Sequence, residues 1–246
     1  MSDAPKRPEL PKRFYEGVDV VATDGGFTVR LDGRVVKTPA RRPLLVPAEA
    51  VADAMASEWR EQAERIDPAT MPMTRLVNTV IDGIADTAAE TRLDLERYVE
   101  TDLLFYRVGG PERLAARQRA IWDPILGGAE ASLGRRFVLA EGVMHVAQPP
   151  PSIEAFRERM DAVDDPFAIA ALHQITTLTG SAIIALEILE GRLDADAAWA
   201  AAHLDEDWNI ELWGADDEAR ARRDARFADM RTAVDLLRVV RRGGSR

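Results

Sequence analysis

Hydrophobic positions change their period once along this chain. As far as Val46 they fall in short β-prone runs, Arg13 to Val21, Phe27 to Leu31 and Arg34 to Lys37, separated by Asp24-Gly25-Gly26 and Asp32-Gly33. The second break is a two-residue Asp-Gly loop, a strong hairpin signal because a type I′ turn needs positive φ at both positions. Thr38-Pro39 ends that strand, and Leu44-Leu45-Val46 before Pro47 reads as another. A sheet this small needs a cover. Ala48 to Glu64 supplies one, with Val51, Met55, Glu58, Trp59 and Gln62 at helical spacing. The front, residues 1–66, is therefore expected to be a small α+β domain of antiparallel strands with a covering helix.

Residues 67–246 read as a larger all-α domain. Thr87-Ala88-Ala89-Glu90 has the form of a capping box, opening a helix with Leu95, Val99 and Leu103 on one face. Asp165-Pro166 is a start signal and Gly191 a stop, which predicts one long helix between them, apolar on every face and so surrounded by others. Gly180, Ser181, Ala182 and Ala185 would let neighbours approach closely. His173, Gln174 and Thr176 to Thr179 make a membrane span a poor reading, and internal hydrogen bonds are expected to satisfy them. Further helices are predicted near Thr74–Ala85, Pro111–Leu133, Ser152–Val163, Asp194–Trp213 and Asp216–Arg241, with fraying at Gly243-Gly244-Ser245.

Charge narrows the choice of partner. The 246 residues carry a formal net charge of −10, which argues against nucleic-acid binding through clustered cations. No apolar run approaches the ~20 residues of a spanning helix, so no membrane insertion is expected. The start MSDAPKRPELPKRF has no apolar signal core and contains acids and prolines; it reads as a bacterial or already processed chain, placed in the cytoplasm or a mitochondrial matrix. The acids are unevenly spread. Leu193 to Ala219 holds nine acids and no Lys or Arg, whereas Arg220 to Arg246 holds nine arginines and three aspartates. Either these form an antiparallel helix pair with complementary faces, or the acidic segment meets an arginine-bearing partner.

The residue patterns of familiar catalytic and ligand sites do not occur. There is no cysteine, which excludes disulfides, thiolate metal sites and a cysteine nucleophile. Neither GxGxxG nor GxxxxGK[ST] occurs, and Gly25-Gly26, Gly109-Gly110 and Gly127-Gly128 read as turns. Gly180-Ser181 lacks the second glycine of a nucleophile elbow. His145, His173 and His203 have no metal-ligand spacing. No cofactor or metal is expected. On a helix His203 would face Glu206 and Asp207, whose carboxylates would raise its pKa.

One stretch stands out: LDEDWNIELWG, residues 204–214. At helical spacing Asp205, Trp208 and Leu212 share one face, and Glu206, Ile210 and Trp213 share another. Asp207 and Glu211 are four apart and repel. The tryptophans read equally as core anchors with solvated acids beside them, or as anchors of an interaction surface.

Seven motifs in one order resemble the Atp-twelve family of ATP synthase assembly chaperones: RFY (Arg13 to Tyr15), DGRVVKTP (Asp32 to Pro39), EW (Glu58-Trp59), IDPATMPMTRLVNTVID (Ile66 to Asp82), DLLFYR (Asp102 to Arg107), WDP (Trp122 to Pro124) and LDEDWNIELWG. The resemblance runs from about residue 12 to residue 218. It implies a non-enzymatic protein, monomeric when free, that binds the unassembled α subunit of the catalytic head and prevents its aggregation until a β subunit replaces it. It also places the family's important acid at Glu206, with Asp205 and Asp207 as neighbours; Trp208, Glu211 and Trp213 complete the expected partner-binding set. Two other readings remain: a hydrolase using Asp or Glu with His203 in an interdomain cleft, and a regulatory adaptor.

Overall fold

A computed structural model describes residues 9–142 and 144–243; Gly244 and Ser245, part of the expected frayed end, lie outside the described residues. The chain divides into two compact units, one as far as Asp82 and one from Gly83 onward.

In the first unit β1 (Val18–Thr23), β2 (Gly26–Leu31) and β3 (Arg34–Val35) form an antiparallel sheet in the order β1-β2-β3. Val20 pairs with Val29, and Leu31 with Arg34. The tight link between β2 and β3 is the Asp-Gly turn, with φ of 47° at Asp32 and 77° at Gly33, the positive pair its type requires. Leu44 to Val46 follows as a bridge rather than a full strand: Phe27 and Val46 exchange both backbone bonds, at 2.8 and 2.9 Å. Gly26 makes this approach possible, because a Cβ there would lie 2.4 Å from the Val46 carbonyl oxygen. Helix α1 (Glu49–Glu61) covers the sheet, burying Val51, Ala52, Met55 and Ala56.

Residues 67–82 belong to this first unit, so its limit lies beyond Ile66. The reason is local. Glu58 on α1 accepts from the backbone N–H of Met73 and Thr74 (2.6 and 2.8 Å) and from the Thr74 hydroxyl (2.6 Å), thereby capping α2 (Pro72–Thr79) from a different helix. Burial raises the Glu58 pKa against those hydrogen bonds. A single π turn, Val80–Ile84, continues α2.

The second unit is built on α3 (Ala88–Glu100), α4 (Glu112–Leu133), α5 (Pro150–Asp161), α6 (Pro166–Thr179), α7 (Ala182–Leu189), α8 (Ala195–Ala202), α9 (Leu204–Trp213) and α10 (Asp217–Gly243). A short parallel pair, β4 (Tyr106–Arg107) with β5 (Ala140–Glu141), flanks α4. The α+β class and the helical remainder are as expected, but four local expectations change.

The long helix after Asp165 is two. Gly180 takes the left-handed conformation (φ 69°) and closes α6, and the Ser181 hydroxyl accepts from Ile184 N at 3.0 Å to open α7. A glycine C-cap followed at once by a serine N-cap outweighs the continuous apolar pattern. The predicted helix over 194–213 also breaks, at His203 (φ −108°, ψ 19°). Thr87 opens α3 without a side-chain cap; its hydroxyl donates to Gly83 O at 3.3 Å instead. Gly127-Gly128 is not a turn but lies inside α4, where the Glu187 carboxylate packs against Gly128: a Cβ would come 2.6 Å from its Oε2.

The core of this unit surrounds α7, which buries all eight of its residues. Beside it Asp102, fully buried, accepts from Leu104 N (3.0 Å), the Ser181 hydroxyl (2.7 Å) and Ile183 N (2.9 Å). The DLLFYR motif thus starts with a carboxylate that ties its own turn to the first turn of α7. Burial drives its pKa up to about 6, against the hydrogen bonds from Ile183, Ser181 and Leu104. Trp122 of the WDP motif, also buried, donates from its indole to Ala201 O at 2.8 Å and so joins α4 to α8.

Candidate partner-binding surface

The LDEDWNIELWG stretch forms α9 in full, between His203 and Gly214. Three acids in its first turn favour the positive end of the helix dipole, and Gly214 ends it with a φ of 80°. Of its ten residues only Leu204 is buried. Such a helix is held by its polar side chains.

Those attachments are distributed on two neighbours. Asp205 accepts from Gln118 Nε2 at 2.9 Å, and the same amide accepts from Val108 N at 3.0 Å. Glu211 pairs with Arg117 at 2.6 Å. Arg113 sits over the Trp208 ring, 5.6 Å from its centroid. All three of these partners are on α4. Asp207 turns the other way, to Arg223 of α10 at 2.5 Å. The like-charge repulsion expected between Asp207 and Glu211 is therefore resolved: each acid has its own arginine. The Asp207–Arg223 bridge also links the acidic and arginine-rich segments, although the apolar face of α10 packs chiefly on α6, burying Met230, Ala233, Val234 and Leu237.

What remains points outward. Glu206 is exposed, Asn209 is exposed, and Trp213 is 85% exposed; at spacings of three and four they form one stripe. Leu212 stands beside it, 56% exposed. The two tryptophans thus separate: Trp208 is a half-buried attachment to α4, and Trp213 is offered to solvent.

His203 does not join this surface. It is buried, its ring tilted against that of Trp199 with centroids 3.7 Å apart, and its Nδ1 lies 3.0 Å from Trp199 O. The expected rise in its pKa is reversed, because burial lowers it more than Glu206 and the Trp199 carbonyl raise it. A hydrolase reading loses its histidine. Among the described residues no cluster of His, Asp and Glu could hold a metal ion, and no helix is long and apolar enough to cross a membrane.

Sequence reasoning missed the residues that hold α9 in place, Arg113, Arg117, Gln118 and Arg223. The signal was available in part: the 113/117 spacing places two arginines on one face of the helix predicted over Pro111–Leu133.

A polar-tethered helix presenting an acid and a bare tryptophan has the side-chain types that protein-binding surfaces use. Residues 12–130 match the family model described as ATP12 chaperone protein. The chain is 50% identical to a putative chaperone of Agrobacterium tumefaciens whose crystal structure superposes with a TM-score of 0.89, covering 94% of this chain and 87% of that one. It is 38% identical to Atp12 of Paracoccus denitrificans, with a TM-score of 0.85 and coverage of 93% and 98%. The mitochondrial protein atp12 of Schizosaccharomyces pombe is 25% identical over 222 residues, 85% of this chain and 75% of its own length. The chain belongs to the ATP12 chaperone family, and its role is in ATP synthase assembly.

Proposed function

We propose that this chaperone binds the unassembled α subunit of the ATP synthase catalytic head and keeps it from aggregating until a β subunit takes its place. It does so free of cofactors and without chemistry of its own, as a monomer in the bacterial cytoplasm. The observation that carries this reading is the outward stripe Glu206–Asn209–Trp213 on a helix otherwise tethered by its polar side chains.

The physical logic follows from what an orphan subunit exposes. An interface normally buried in a ring is a large apolar patch with a charged rim, and left bare it aggregates. Trp213 and Leu212 offer contact area to the apolar part, and Glu206 orients against a cation on the rim. Asp205, Asp207 and Glu211, already engaged within this protein, hold the stripe in position. Since the anchors are few, a β subunit with a larger matching interface displaces the chaperone by competition alone.

Co-expression with α subunit in the absence of β tests this. Wild type should keep α soluble and co-purify with it; Glu206→Lys should lose both while circular dichroism and melting stay as in wild type. Undiminished capture by Glu206→Lys, or its misfolding, overturns the assignment.

A further inference from the structure

A second surface lies on the helical unit, built from α3 and α5. These run antiparallel: Arg92 donates to Val163 O at 2.6 Å, and four residues along α3, Glu96 holds Arg157 through Nε to Oε2 at 2.7 Å and Nη2 to Oε1. Two hollows of about 250 and 480 Å³ adjoin along the pair, and both are lined by Glu96 and Arg157. The ion pair is therefore a shared wall between two halves of one groove.

Its sides are regular. On α3, Ala89, Leu93, Glu96 and Glu100 follow one another at helical spacing; on α5, Pro150, Ile153, Arg157 and Met160 do the same. From Ala89 to Glu100 is about three turns, or ~16 Å at 1.5 Å per residue. Leu93, 52% exposed, is the apolar side chain most open to a ligand. The charged lining is unbalanced: Glu96, Glu100, Glu154 and Asp161 stand against Arg92 and Arg157. The Arg157 hydrogen bond holds Glu96 below the usual carboxylate range.

The geometry points to this groove as a docking site for a basic amphipathic helix of a partner protein, about three turns long, its apolar face on Leu93 and its cations toward Glu100, Glu154 and Asp161. Length, the exposed Leu93 and the sign of charge agree on that occupant, in the manner of helix-in-groove recognition. The site is separate from α9 and independent of what α9 binds.

The probe is a fluorescent, lactam-bridged peptide of about 14 residues with leucines at i, i+3, i+4 and i+7 and lysines elsewhere, the bridge offsetting the instability of so short a helix. Its anisotropy should report saturable binding to the full chain, and a counterpart with glutamates for lysines should not bind. Leu93→Asp is the decisive variant. It adds negative charge, so attraction to the protein's general acidity would leave the affinity unchanged or raise it. Groove docking predicts a loss of about tenfold or more, the scale of one lost leucine contact. Glu100→Lys with Glu154→Lys should weaken binding as well, whereas Glu206→Lys and Trp213→Ala should not. Undiminished binding to Leu93→Asp overturns the proposal. So does self-association of the chain that Leu93→Asp abolishes while the peptide fails to bind, since the occupant would then be a second copy.

Discussion

Helices α7 and α9 are neighbours of α8 on either side in sequence, and they are opposites. All eight residues of α7 are buried, whereas α9 buries only Leu204 among ten. Each is tied to its surroundings by carboxylates, with different employment. Asp102 beside α7 is fully buried and saturated by three donors; Asp205, Asp207 and Glu211 on α9 make single exposed or half-exposed links to α4 and α10. An acid that organises a core is costly to lose, since its donors stay buried without it. An acid that tethers a surface helix is cheap to lose, since water replaces its partner. The two helices divide the unit into a part that fixes the fold and a part available for binding.

That division can be broken most forcibly at Asp102. Asp102→Ala leaves the Leu104 and Ile183 amides and the Ser181 hydroxyl unpaired in the core, and urea unfolding should show a loss of about 3 kcal/mol or more. The same residue gives a pH signature. Its folded pKa of about 6 lies above the ordinary 3.8, so the native state binds the extra proton. Its contribution to stability is full below pH 4 and is lost as pH rises through about 6. Wild-type stability relative to Asp102→Asn should therefore fall across that interval, and a rise would contradict the burial account.

A smaller effect belongs to the front unit. Glu58→Ala removes the cap on α2 and should cost about 2 kcal/mol, with the loss confined to the unit that ends at Asp82. Glu211→Ala, which frees Arg117 at the surface, should cost under about 1 kcal/mol. Trp213→Ala should be within about 0.5 kcal/mol of wild type in unfolding yet reduce α-subunit capture by about tenfold or more. If Trp213→Ala instead lowers stability by several kcal/mol, Trp213 is a core residue and the contrast with α7 fails.

The sequence made some of this legible for physical reasons that hold locally. Asp32-Gly33 announced its turn because only a few residue types tolerate both positive φ values, and they take them here. The period change from two to three-to-four separated sheet from helices. Gly180-Ser181 was misread because apolar residues continue through it; the pair carries a stop and a start in adjacent residues, and the cap chemistry decides. Thr87 and Glu90 satisfied the capping-box pattern, but the π turn at Val80–Ile84 brings Gly83 O within reach of the Thr87 hydroxyl. For α9 the face containing Glu206 and Trp213 was readable from spacing. Which face turns outward was not, because that depends on Arg113, Arg117 and Gln118 of α4, distant in sequence, and on where α10 brings Arg223. His203 was misjudged for the same reason: local carboxylates suggested a raised pKa, while long-range burial lowers it.

The central claim is that α9 is where the α subunit is held. Amide hydrogen exchange on the isolated chain and on its complex with α subunit, before β is added, tests it most directly. The amides of residues 204–214 should exchange readily in the free protein and become strongly protected in the complex, with the α7 core equally protected in both. Unchanged exchange in residues 204–214 with new protection elsewhere would contradict it.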